Sequence, residues 1–130
     1  GAASAGTGGP FGPSGRWAVE PVDMVVTFRN YHNFSAADRA AVNRSTFNAL
    51  KAGGYYGIVD HTRRHNEPEN QTNRRRVDPV LVIKEVQDAG FELVDFSNLY
   101  YRPNDALSLE VANAAVNDRT DRIALLFRKP

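Results

Sequence analysis

Cysteine is absent from all 130 residues. That excludes a disulfide framework, thiolate catalysis and a Cys-based zinc site, and it suits a reducing cytoplasm, the location expected. Long apolar runs are missing as well. No stretch approaches the roughly 18 apolar residues that a transmembrane helix needs, so no membrane partner is expected. Charge of one sign is not in excess either: 16 Lys+Arg stand against 15 Asp+Glu, for a formal charge of +1. Such a balance offers no electrostatic reason to expect nucleic acid. What is present, 42% hydrophobic residues and 24% charged, suits one α/β or α+β domain that buries about two-thirds of its unfolded surface.

Residues 1–16 hold six glycines and two prolines, with Phe11 as their single large apolar residue. A segment of that composition buries too little to offset the entropy of ordering it, and a flexible tail is expected there. It has neither the basic start nor the apolar stretch of a signal peptide. The domain, residues 17–130, opens on the β-branched run Val22–Phe28, apolar at nearly every position, as strands covered on both faces read. Ser35 with Asp38 predicts a capped helix start, with the helix running to about Lys51 and stopped by Gly53-Gly54. A second strand spans Tyr55–Asp60, and a polar connection runs from His61 to Val77. Asp78-Pro79 reads as N-cap and first turn of a second helix that Gly90 ends. A third strand covers Phe91–Phe96. Residues 97–121 form a long connection with a short helix expected around Ala106–Ala115, and Arg122–Phe127 is the last strand. Alternating strands and helices predict a parallel sheet with right-handed crossovers.

Ligands of open α/β sheets bind beyond the carboxyl ends of the strands. Two clusters fall there: Arg29-Asn30-Tyr31-His32-Asn33 after the first strand, and Asp60-His61-Thr62-Arg63 after the second. Adjacent parallel strands bring both into one crevice. There His32 or His61 can serve as general base, since imidazole titrates near pH 6.5, and Asp60 can orient an imidazole or pair with Arg29. The competing reading is that these polar residues only cap helices and satisfy strand-end carbonyls. A metal site from His32, His61, His65 and Asp60 is conceivable, but none is expected, because the His61-x-x-x-His65 spacing lies in a loop and not on a helix. Arg63, Arg64, Arg74, Arg75 and Arg76 fit either a grip on an anion or a solvated, mobile loop, and aromatic interleaving for stacked bases is missing. The Tyr100–Asp105 loop after the third strand suits one wall of a substrate pocket, or simple packing.

Several segments recur in a familiar order: Phe28-Arg29-Asn30-Tyr31-His32-Asn33, Leu50-Lys51-Ala52-Gly53-Gly54, Val59-Asp60-His61, Asp78-Pro79, Asp88-Ala89-Gly90-Phe91 and the ending Asp121–Pro130. Together they resemble the C-terminal half of a bacterial predicted methyltransferase of the class I, S-adenosylmethionine-dependent superfamily. The resemblance implies a partial Rossmann-like methyltransferase sheet of about four strands, equivalent to the family's fourth to seventh, the last antiparallel beside the second strand of this chain. It further implies S-adenosylmethionine as cofactor and a small-molecule methyl acceptor, with His32, Tyr31, Asp60 and His61 as catalytic residues and Asn30 and Arg29 against the cofactor. The family's Gly-rich cofactor loop has no strand-loop-helix counterpart here. Activity is therefore expected to depend on assembly, or to be lost in a non-catalytic dimeric binding or structural protein. An apolar strand 22–28 left at a sheet edge is a pairing template, so a homodimer is expected, by edge pairing or exchange of elements.

Overall fold

A computed structural model describes Ala2–Ser4 and residues 21–130. Its elements are β1 (Ala2–Ser4), β2 (Val22–Phe28), a 3₁₀ turn (Tyr31–Asn33), α1 (Ala36–Ala49), β3 (Leu50–His61), α2 (Pro79–Asp88), β4 (Glu92–Ser97) and β5 (Arg122–Arg128). They form one five-stranded sheet in the order β1-β2-β3-β5-β4. β1, β2 and β3 are parallel, and β5 runs antiparallel between β3 and β4. The fold is the partial Rossmann-like sheet expected, with its antiparallel last strand inserted beside β3.

Local chemistry explains where the helices begin and end. The Ser35 hydroxyl accepts from the Asp38 amide at 3.2 Å, and Asp78 accepts from the amides of Val80 and Leu81 ahead of Pro79. Gly53-Gly54 do not end α1, contrary to expectation. The helix stops at Ala49, where the Lys129 ammonium takes the Phe47 and Leu50 carbonyls at 2.7 and 2.9 Å. Gly53, at φ 83°, instead serves an irregularity in β3 opposite the register shift between Val22 and Met24. Gly90 (φ 111°) is required on two counts, because a Cβ there would meet Phe47 Cε2 at 2.8 Å.

α1 and α2 pack on the same sheet face, as right-handed crossovers in one direction require. The core lies between them and the sheet: Val25, Tyr56, Ile58 and Phe127 from strands, Val82 and Val86 from α2, and Phe91. The other face, with Met24, Val26, Phe28, Tyr55 and Leu126, stays partly open, Phe28 and Tyr55 each being 41% exposed. The sequence thus reads as apolar on both faces of β2, whereas the described residues cover one.

Three further expectations are corrected. Ala2–Ser4 is not a tail but a strand, paired Ala2↔Met24, Ala3↔Val25 and Ser4↔Val26. Edge pairing uses backbone groups and needs no large side chain, so composition hid it; the rest of 1–16 lies outside the described residues. The outer edge of β2 is therefore filled over those three residues. The connection 97–121 holds no helix, since Leu107 and Asp118 take left-handed φ values of 64° and 60°. Lastly, the arginine segment is not simply a solvated loop. The Arg76 side chain is fully buried and pairs with fully buried Asp105 at 2.8 Å, while it also donates to the carbonyls of Thr62 and Leu109. Arg75 pairs with Glu110. These contacts pin the long connection against the strand ends.

Candidate functional site

The carboxyl ends of β2, β3 and β4 and the start of β5 lie at one end of the sheet, as their pairing dictates. β2 leaves through Arg29, whose φ of 57° is left-handed, a conformation costing a non-glycine residue about 1 kcal/mol or more. The turn is held by the Arg29 amide donating to the Val59 carbonyl at 2.7 Å. It swings Asn30–Asn33 across the end of β3, which brings the two clusters of the sequence together.

Their meeting point is Asp60, fully buried. Its carboxylate accepts from the His32 amide at 2.9 Å, from the His61 amide at 2.7 Å, and pairs with His32 Nδ1 at 2.8 Å. With a proton on Nδ1 donated to Asp60, the lone pair of His32 resides on Nε2, the arrangement of an oriented general base. His32 lines three adjoining cavities, so its ring stands at their junction. His61 sits 6.1 Å away, ring centroid to centroid, with Nδ1 against the Thr120 hydroxyl at 2.6 Å. Burial pushes the His61 imidazole down to about 4, with Asp60 opposing and the Arg122, His32 and Arg29 charges adding to the depression. His61 is therefore neutral at physiological pH.

Tyr31 borders one of these cavities, with its hydroxyl engaged inside the fold. Its ring is fully buried, and its hydroxyl donates to Glu85 at 3.1 Å and accepts from Asn43 at 2.9 Å. Asn43 accepts in turn from the Tyr56 hydroxyl at 3.0 Å, and Arg39 grips Glu85 through Nε at 2.9 and 3.0 Å. Burial raises both phenols above the ordinary tyrosine range. This chain locks the 3₁₀ turn onto α1 and α2, and so fixes the backbone that carries His32. Sequence reading missed Asn43, Glu85 and Arg39; the available signal was the i, i+4 row Arg39-Asn43-Phe47, two polar residues aligned with a core aromatic. Asn30 accepts from the Asn33 side chain at 3.2 Å, and Arg29 stacks over the Phe28 ring at 5.1 Å.

Three cavities adjoin His32. One of about 350 Å³ lies toward Arg29, His61, Asn117 and Arg122. A second, about 430 Å³, opens between the 3₁₀ turn and α2, with Phe34, Val77, Leu81 and Val82 among its walls, and a third, about 520 Å³, lies along Asn33, Phe34, Glu69, Arg74 and Arg75. Among the described residues no group of three metal-ligating side chains converges, and no helix is long and apolar enough to cross a membrane.

No family model matches the chain, and no curated protein does. Solved structures do. The [4+2]-cyclase SpnF is similar over 92% of this chain and 54% of its own length, at TM-score 0.62 and 16% identity. A TehB-like SAM-dependent methyltransferase from Corynebacterium glutamicum matches 88% of this chain and 51% of its own, at TM-score 0.57 and 14% identity. The glycopeptide N-methyltransferase MtfA, in complex with S-adenosylmethionine, matches 92% and 59% at TM-score 0.59 and 15% identity. The chain spans about half to three-fifths of these three structures. Its fold is that of part of an S-adenosylmethionine-dependent methyltransferase, a frame on which a cyclase is also built.

Proposed function

We propose that this chain is the substrate-side, C-terminal half of a bacterial S-adenosylmethionine-dependent methyltransferase, acting in the cytoplasm and only within an assembly that completes the cofactor's cradle. The observation that carries the reading is the His32–Asp60 pair at the strand ends, a base oriented by a buried carboxylate and bordering three cavities. Arg29 and Asn30 fit the carboxylate end of the cofactor, because Arg29 has no acidic partner among the described residues. The described residues of the cavity of about 350 Å³ offer little apolar wall for an adenine beyond Val111, which is why the remaining contacts are assigned to assembly. When bound, the cofactor supplies an electrophilic methyl group. His32 Nε2 accepts the proton of the acceptor's nucleophile, and Asp60 holds the ring in the tautomer that permits it. His61 stays neutral beside it, while Tyr31 positions the turn through Glu85 and Asn43. A homodimer joined through the region of strand 22–28, or by exchange of elements, is the assembly proposed.

A second reading is a non-catalytic dimeric binding protein on the same fold. The half-open sheet face carrying Phe28 and Tyr55 favours it, as an apolar surface calls for a partner. Calorimetric titration with S-adenosylmethionine separates the two. Micromolar binding supports the methyltransferase half, and no binding at millimolar ligand supports the second. Sedimentation at micromolar protein tests the dimer common to both; a monomer there removes it.

A further inference from the structure

The cavity of about 430 Å³ between the 3₁₀ turn and α2 has an unusual charge inventory. Most of its ionised walls are already committed. Glu85 is held by Arg39 and Tyr31. Asp78 accepts from the amides of Val80, Leu81 and Asn66, and Arg76 belongs to Asp105. Arg63 differs. Its Nε is buried without a hydrogen-bond partner, and among the described residues the guanidinium otherwise donates only a long 3.5 Å bond from Nη1 to the Arg76 carbonyl. A buried charged donor left unpaired costs roughly 1–3 kcal/mol or more, so it is a group that a ligand would satisfy. Arg74 also lines the cavity, exposed and without an acidic partner among the described residues. Against these two cations stands the single uncommitted carboxylate of Glu69, also exposed. Phe34, Val77, Leu81 and Val82 supply apolar walls between the arginines and the 3₁₀ turn.

We infer that this cavity is the acceptor pocket, and that its acceptor is an apolar molecule bearing an oxyanion, carboxylate or phosphate, held by Arg63 and Arg74 while its nucleophile reaches His32. The inference rests on the methyl-transfer reading for the word acceptor; binding of the anion itself does not depend on it. Calorimetric titration of the chain with 4-hydroxybenzoate, phenyl phosphate and the uncharged methyl 4-hydroxybenzoate provides the test, with the imidazole NMR signals of His32 followed in parallel. At least one of the two anions should bind about tenfold or more tighter than the ester and shift the His32 signals saturably; whichever anion binds tighter identifies the oxyanion. Arg63→Gln should abolish that preference, Arg74→Gln should weaken the anion severalfold, and Glu69→Gln should tighten it. Equal binding of ester and anions overturns the inference, as does undiminished anion binding in Arg74→Gln, a surface substitution that leaves the fold intact. Failure of S-adenosylmethionine to bind, with the anion preference intact, refutes the methyl-transfer reading alone.

Discussion

Replacing Asp105 by alanine removes the one carboxylate that neutralises a fully buried guanidinium. In the wild-type protein Asp105 accepts from Arg76 at 2.8 and 3.1 Å and from the amides of Leu107 and Asp121 at 2.9 and 2.7 Å. Burial alone would push its carboxyl up, yet the hydrogen bonds from Arg76 and those two amides outweigh burial and hold it below the usual range. Without it Arg76 retains the Thr62 and Leu109 carbonyls, which supply dipoles but no countercharge. Breaking a buried pair in this way costs about 3–5 kcal/mol, a large share of the roughly 5–15 kcal/mol that stabilises a domain. Urea unfolding at pH 7 reads this as a midpoint lowered by on the order of 2 M. Arg76→Met combined with Asp105→Ala should recover part of the loss, since no charge then remains buried. A loss below about 1 kcal/mol, or a double variant worse than Asp105→Ala, would refute the argument that this pair pins the connection 97–121. The effect also reaches the site: Thr120, on that connection, should release His61, whose imidazole then moves up from about 4 toward the ordinary value near 6.5.

Two further perturbations test other parts of the account. His61 is depressed in the folded protein, so the unfolded chain takes up its proton first as pH falls. Stability is then full above about 6.5 and declines through the window down to about 4, by roughly 1–2 kcal/mol in total after allowance for solvent screening. His61→Gln should flatten that part of the curve, and an unchanged slope between pH 6.5 and 4 would contradict the assigned burial. Gly90→Ala should cost about 1–3 kcal/mol by forcing a left-handed alanine against Phe47, as judged by thermal unfolding; a neutral result would deny the close approach.

Much of the sheet was legible because its signals are local. Apolar runs mark β2, β3 and β5, and Ser35 and Asp78 announce the helix starts by side-chain geometry alone. The convergence of His32 with Asp60 followed from topology, since both lie at the ends of adjacent parallel strands. What failed depended on distant partners. Lys129 ends α1 from 79 and 82 residues away, so the two glycines were credited with its work. Arg76 looked like surface charge until Asp105, 29 residues on, was brought beside it. Tyr31 borders the cavity between the 3₁₀ turn and α2, but the partners of its hydroxyl, Asn43 and Glu85, lie on two separate helices that its neighbours in sequence do not announce.

The central claim is that His32, oriented by Asp60, is the base of a methyl-transfer site. Transfer of a tritiated methyl group from S-adenosylmethionine to a phenolic carboxylate, compared in wild type, His32→Gln and Asp60→Asn, tests it most directly. The account predicts a rate lower by about 10²–10⁴-fold in His32→Gln and a smaller loss in Asp60→Asn, with S-adenosylmethionine affinity unchanged in both. Transfer by His32→Gln at the wild-type rate would contradict it.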